Sequence, residues 1–127
     1  MHLGDLVSLE VIEQSEKLCR FEAVRGNCDN PDLRRVLSPM KILEISGARI
    51  GMIHSHGGPK EALAIVKQEF SGKVDIALFG HTHIPYCRRE NGTLFLNPGS
   101  LRSGRGVANS YGILHIDAKP WGEIVEL

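Results

Sequence analysis

Apolar residues follow two rhythms along this chain. Between Pro59 and Gly72 they fall at Ala62, Leu63, Ile65, Val66 and Phe70, the three- and four-residue spacing of one helical face, with proline where a helix can begin and glycine where it can end. A weaker version runs from Leu6 to Leu18, where Leu9 and Ile12 are set among Glu13, Glu16 and Lys17. Elsewhere the apolar runs are short and β-prone. Phe21–Arg25, Lys41–Ser46, Arg49–His54, Val74–Phe79, Thr93–Leu96, Tyr111–Ile116 and Glu123–Leu127 each read as a strand, most of them set off by glycine or proline turns. Gly47-Ala48 reads as the turn of a hairpin whose second arm ends at His54. Strands interleaved with helices predict an α/β sandwich. No linker, repeat or low-complexity segment divides residues 1–127, so a single domain is expected.

Several strands end in the same chemistry. Val74–Phe79 runs into Gly80-His81-Thr82-His83, Arg49–Ile53 into His54-Ser55-His56-Gly57, Phe21–Arg25 into Gly26-Asn27-Cys28-Asp29, and the chain opens with Met1-His2-Leu3-Gly4-Asp5. In an open α/β sheet the carboxyl ends of the strands line one crevice. Four such loops would gather Asp5, Asn27, His54, His81 and His83 there. Residues two apart in a continuing strand point to opposite faces, so His81 and His83 converge only if the backbone turns, as Gly80 and Pro85 would encourage. One imidazole on each of two ions about 3.5–4 Å apart would suit such a pair; two solvated loop histidines are the plain alternative. Carboxylate, amide and imidazole donors together suit Mn, Fe, Zn, Co or Ni, and the lack of paired thiolates argues against a structural zinc site of the cysteine type.

Composition narrows the setting more than the substrate. Fifteen basic and fifteen acidic side chains leave no net charge, so no general nucleic-acid or membrane-binding surface is expected. Arg20, Arg25, Arg34, Arg35, Arg88, Arg89, Arg102 and Arg105 are scattered through predicted loops; most read as solvated surface, and a local basic patch stays open. Cys19, Cys28 and Cys87 are odd in number without CxxC spacing, which points to a reducing compartment. With no spanning segment or leader evident, a cytoplasmic location is the default expectation. Assembly into a homo-oligomer stays open.

Taken in order, these motifs resemble the calcineurin-like metallophosphoesterases. That family's consensus runs Asp-x-His, Gly-Asp, Gly-Asn-His-Asp or Glu, a His near glycine, and Gly-His-x-His. Here Gly4-Asp5, Gly26-Asn27-x-Asp29, His54 and Gly80-His81-Thr82-His83 follow in the same order. The chain is most similar to the small bacterial and archaeal phosphodiesterase branch, with its Gly-Asn-Cys-Asp and its later Asn-Pro-Gly-Ser, here Asn97-Pro98-Gly99-Ser100. Asp-x-His has no counterpart, so the resemblance implies a metallophosphoesterase-like α/β sandwich with its first strand missing, an N-terminally incomplete domain.

The resemblance also implies roles. Asp5 would bridge two ions, Asn27, His54 and His81 would complete one site, and His83 would be the remaining ligand of the second. One firmly held ion and one weak or missing ion is therefore expected, with Mn the leading metal and Ni, Fe or Zn as alternatives. The implied reaction is hydrolysis of a small phosphoester, most readily a diester, by a metal-activated hydroxide. Cys28 stands where many relatives carry a histidine that assists the leaving oxygen; it is either a small packing residue or a weak donor that favours good leaving groups. Asp29 is expected to orient the loop, His56 to contact phosphate, and Asn97 to touch the histidine loop from a turn behind the site. The contrasting reading is a protein-binding scaffold of the same fold, as in the retromer subunit that resembles these enzymes without their metal chemistry. A single structural metal is a third.

Overall fold

The computed structural model describes residues 1–102 and 106–127; Arg105 lies outside them. Five strands form the main sheet: β1 (Met40–Ile45), β2 (Ala48–Ile53), β3 (Ile76–Phe79), β4 (Tyr86–Glu90) and β5 (Thr93–Asn97), in the spatial order β1-β2-β3-β5-β4. β2, β3 and β5 run parallel, flanked by antiparallel β1 and β4. A separate hairpin joins β6 (Ser110–His115) to β7 (Trp121–Glu126). Three helices complete the described chain: α1 (Leu9–Leu18), α2 (Pro31–Val36) and α3 (Pro59–Phe70).

The period of two along the central strands separates two apolar faces. Ile50, Met52, Ile76, Leu78, Leu94 and Leu96 point to one side, where Leu114, Ile116 and Ile124 of the smaller sheet's region cover them. Ala77, Phe79 and Phe95 point to the other and meet Val66 and Phe70 of α3. At Gly51 a Cβ would lie 2.5 Å from the Phe70 ring, so the absence of a side chain is what lets α3 settle on β2. The layers are thus small sheet, main sheet and helix: the expected α/β sandwich. A third apolar group, Leu6, Ala23, Leu33 and Leu37 with Ile12 and Phe21, ties the first two helices to the N-terminal segments.

The elements differ from the sequence reading in instructive places. α1 begins at Leu9 rather than Leu6, because Asp5 and Val7 have φ of 61° and 77° and the amides of Asp5, Leu6 and Val7 are taken by Asp29. Phe21–Arg25 forms only a parallel bridge, Ala23 to His2, in which the His2 N–H donates to Glu22 and the Val24 N–H to His2. The first hairpin turns one residue earlier than expected, at Ser46-Gly47, both left-handed, as a two-residue loop between twisted strands requires. α2 and β4 were not anticipated. Both carry local signals: Asn30 caps α2 by accepting from the Leu33 N–H, with Pro31 following, and Asn91-Gly92 makes the β4–β5 turn. Among the described residues no helix is long and apolar enough to cross a membrane.

Candidate metal centre

Because β2, β3 and β5 are parallel, their carboxyl ends share one rim. His54 follows β2, the 80–83 loop follows β3, and Asn97 is the last residue of β5. The paired segments around His2 and Ala23 deliver Gly4-Asp5 and Gly26-Asn27 to the same place. These two loops nearly touch. A Cβ at Gly26 would collide with the Asp5 carboxylate, and one at Gly4 would stand 2.5 Å from His54 Nδ1, so the glycines beside the candidate ligands are a packing requirement. The expected turn in the histidine loop is present, with His81 at φ 67° and His83 at φ 61°; Asp5 and Ser55 are left-handed too. Backbone strain of this kind persists only where surrounding structure enforces it.

Four of the five predicted ligands converge. His54 is buried, and its Nδ1 lies 2.5 Å from the Leu3 carbonyl. A carbonyl only accepts, so Nδ1 carries a proton toward Leu3 and Nε2 is the ring nitrogen turned inward. That Nε2 is 3.0 Å from Asn27 Oδ1, 3.3 Å from His81 Nδ1 and 3.5 Å from Asp5 Oδ2. His81 Nδ1 is also 3.0 Å from Asn27 Oδ1. These nitrogen and oxygen atoms are gathered around one point, and one carboxylate, one amide oxygen and two imidazoles are the donor types that suit a borderline divalent ion. Among the described residues no group of three or more His, Cys, Asp or Glu is arranged to hold an ion by itself; the cluster includes the amide oxygen of Asn27 beside them. His83 is the fifth, and its Nδ1 is buried without a hydrogen-bond partner, a nitrogen whose bonding capacity the protein itself does not satisfy.

Three residues outside the cluster hold the loops. Asp29, 3% exposed, accepts from Gly26 N–H (2.6 Å) and Asp5 N–H (3.2 Å) on Oδ2 and from Leu6 N–H (2.6 Å) and Val7 N–H (3.3 Å) on Oδ1. Asp5 in turn accepts from the Cys28 N–H at 2.8 Å. Buried Asn97 donates to the Gly80 carbonyl and Thr82 hydroxyl, at 3.0 and 3.1 Å, the contact expected of it. Arg34 is exposed, as read from sequence, and also spans the 27–29 loop by donating to the carbonyls of Asp29 (2.8 Å) and Asn27 (2.7 Å).

The other predicted residues lie around this centre. Cys28 is exposed rather than packed, with Asn27 Nδ2 3.3 Å from its sulfur. His56 is exposed on the wall of an open cavity of about 420 Å³ that shares Asn27 and His54 with the cluster. His2 was not anticipated. Its Nδ1 is buried and unpartnered, and burial pushes the imidazole below its ordinary pKa against the opposing pull of Asp29 and Asp5; a histidine two residues before Gly4 was the available signal.

This rim can be set beside known proteins. The sequence profile of the calcineurin-like phosphoesterase superfamily domain matches residues 1–119. The chain belongs to that superfamily. It is 35% identical to a probable metallophosphoesterase of Methanocaldococcus jannaschii, over all of this chain and 65% of that protein. It is 31% identical to the Escherichia coli phosphodiesterase YfcE, over 75% of this chain and 52% of that one. The chain thus spans about half to two thirds of the length of these relatives. A Thermotoga maritima protein solved by NMR superposes with a TM-score of 0.71 at 38% identity, covering 98% of this chain and 78% of that one. Vps29 of Entamoeba histolytica complexed with zinc gives 0.72 at 27% identity, covering 98% and 79%. Use of divalent metal goes with this calcineurin-like superfamily.

Proposed function

We propose that this chain is a metal-dependent phosphodiesterase that holds one ion tightly through Asp5, Asn27, His54 and His81, with His83 as a ligand of a weaker second position. The reading is carried by the convergence of His54 Nε2, Asn27 Oδ1 and His81 Nδ1 within 3.3 Å of one another, with the His54 proton held on the far side by Leu3. A bound divalent cation supplies Lewis acidity that activates water and neutralises phosphate oxygens. The chain's own residues position and screen. Leu3 and Asn97 fix the two histidine-bearing loops, Asp29 holds the Asp5 and Asn27 loops together, and His56 donates to the phosphate from the cavity side. Cys28, a weak donor, leaves the departing oxygen with little proton assistance, which favours substrates whose leaving groups need none. The donor set fits Mn, Ni, Fe or Zn.

Metal analysis after dialysis, alongside hydrolysis of bis(4-nitrophenyl) phosphate with Mn or Ni, tests this. The wild-type protein should retain about one ion and turn over, and His81→Ala should lose both properties. Equal metal content in the two proteins would remove the site. A second reading, a binding scaffold without turnover, draws on the Vps29 likeness and on the outward face of the small sheet, where Tyr111, Ile113 and Trp121 are exposed. Retained metal with no hydrolysis of any phosphoester would favour it.

A further inference from the structure

The cavity beside the cluster has a charged wall that the proposed chemistry does not use. Arg25 and Arg34 line it together with Asn27, His54 and His56, and its volume of about 420 Å³ is within the range of small-ligand sites. Both side chains are tethered by main-chain carbonyls. Arg34 gives Nε to Asp29 and Nη2 to Asn27, while Arg25 gives Nη1 to the Arg34 carbonyl at 3.3 Å. A guanidinium carries five N–H donors, so most of the donors on each remain available. Among the described residues neither arginine has a carboxylate partner, whereas Arg20, Arg35, Lys41 and Lys67 are each in an ion pair. Two restrained, uncompensated guanidinium groups over a cavity are suited to planar, bidentate capture of phosphate or carboxylate.

We propose that Arg25 and Arg34 form an anion subsite for a second negatively charged group of the substrate, so that the favoured substrate is a phosphodiester with one arm ending in a further phosphate or carboxylate. The assignment of substrate class rests on the reading of the adjoining cluster as the hydrolytic centre; the anion site itself does not. Because Arg34 also spans the carbonyls of Asn27 and Asp29, an anion bound there contacts the same side chain that braces the Asn27 loop.

The test has two arms. In the first, inorganic pyrophosphate is titrated calorimetrically into metal-free protein; the wild type should bind it, Arg25→Gln should weaken binding about tenfold or more, and Arg25→Lys should recover part of the loss, as expected of charge-assisted bonds. In the second, the Mn-loaded protein is given bis(4-nitrophenyl) phosphate and a 4-nitrophenyl diester whose other arm carries a terminal phosphate. The ratio of kcat/KM for the charged-arm to the uncharged-arm diester should fall about tenfold in Arg25→Gln. No pyrophosphate binding by metal-free wild type, or equal binding by wild type and both variants, overturns the subsite. An unchanged ratio overturns the substrate class. If neither diester is hydrolysed by wild type, the hydrolytic reading fails while the titration still decides the anion site.

Discussion

Asp29 accepts four main-chain N–H groups and holds two ligand loops by charge rather than by apolar contact. An asparagine there would keep one acceptor and turn an NH2 toward amide hydrogens. Hydrogen bonds to charged groups contribute about 1.5–3 kcal/mol, so Asp29→Asn should destabilise the fold by roughly 2–3 kcal/mol in urea denaturation, whereas His81→Ala should leave metal-free stability nearly unchanged. Gly26 makes the complementary case. Gly26→Ala deletes no donor, yet its Cβ would enter the space of the Asp5 carboxylate, and metal content after dialysis should fall as far as in His81→Ala. Retention of the ion by Gly26→Ala would mean that the two loops have room to separate.

At the scale of elements, the contact between β2 and α3 depends on Gly51. Overpacking a close interface costs about 1–3 kcal/mol, so Gly51→Ala should lower stability by that amount, and Phe70→Leu in the same chain should recover part of it by removing ring atoms near the new methyl. Non-additive unfolding energies would establish the coupling; strict additivity would disprove it. The elements most legible in the sequence were those whose residues repeat a single burial pattern. α3 buries Ala62, Val66 and Phe70 at helical spacing, and every residue of β3 is buried. β4 was missed because Arg88 and Arg89 are exposed on an edge strand whose place is set by the Asn91-Gly92 turn and by β5. The ligand loops were legible as motifs, since Gly-Asp, Gly-Asn and Gly-His-x-His are contiguous in sequence. Their bracing was not. Asp29 and Arg34 act through main-chain groups, and which amides and carbonyls come within reach is decided only when Asp5 and Asn27 are folded together.

Across the whole molecule, ion pairs tie distant segments together. Glu22, beside the His2 bridge, receives Lys41 of β1 at 3.2 Å and Arg20 at 3.3 Å. Burial alone would raise its carboxyl, but the bonds from Lys41 and then Arg20 outweigh that and hold it below its ordinary 4.5. A carboxyl whose folded pKa is depressed contributes stability that is present above its unfolded value and lost as pH falls through the folded one. Thermal melts should therefore show Glu22→Gln below wild type at about pH 7, with the difference closing toward about pH 3. A gap independent of pH would assign the effect of Glu22 to packing.

Asn97 gives the centre an order of assembly. All five predicted ligands lie before residue 84, but the loop bearing two of them is fastened by an amide at the end of β5, and β3 gains its parallel neighbour on that side only from residues 94–96. During synthesis from the N-terminus, a nascent chain carries every ligand well before it carries the fastener. Release or cleavage before residue 97 would leave a peptide with all five candidate ligands but without the amide that fastens the loop of His81 and His83, so the shape of that loop is completed by β5 rather than by the last histidine.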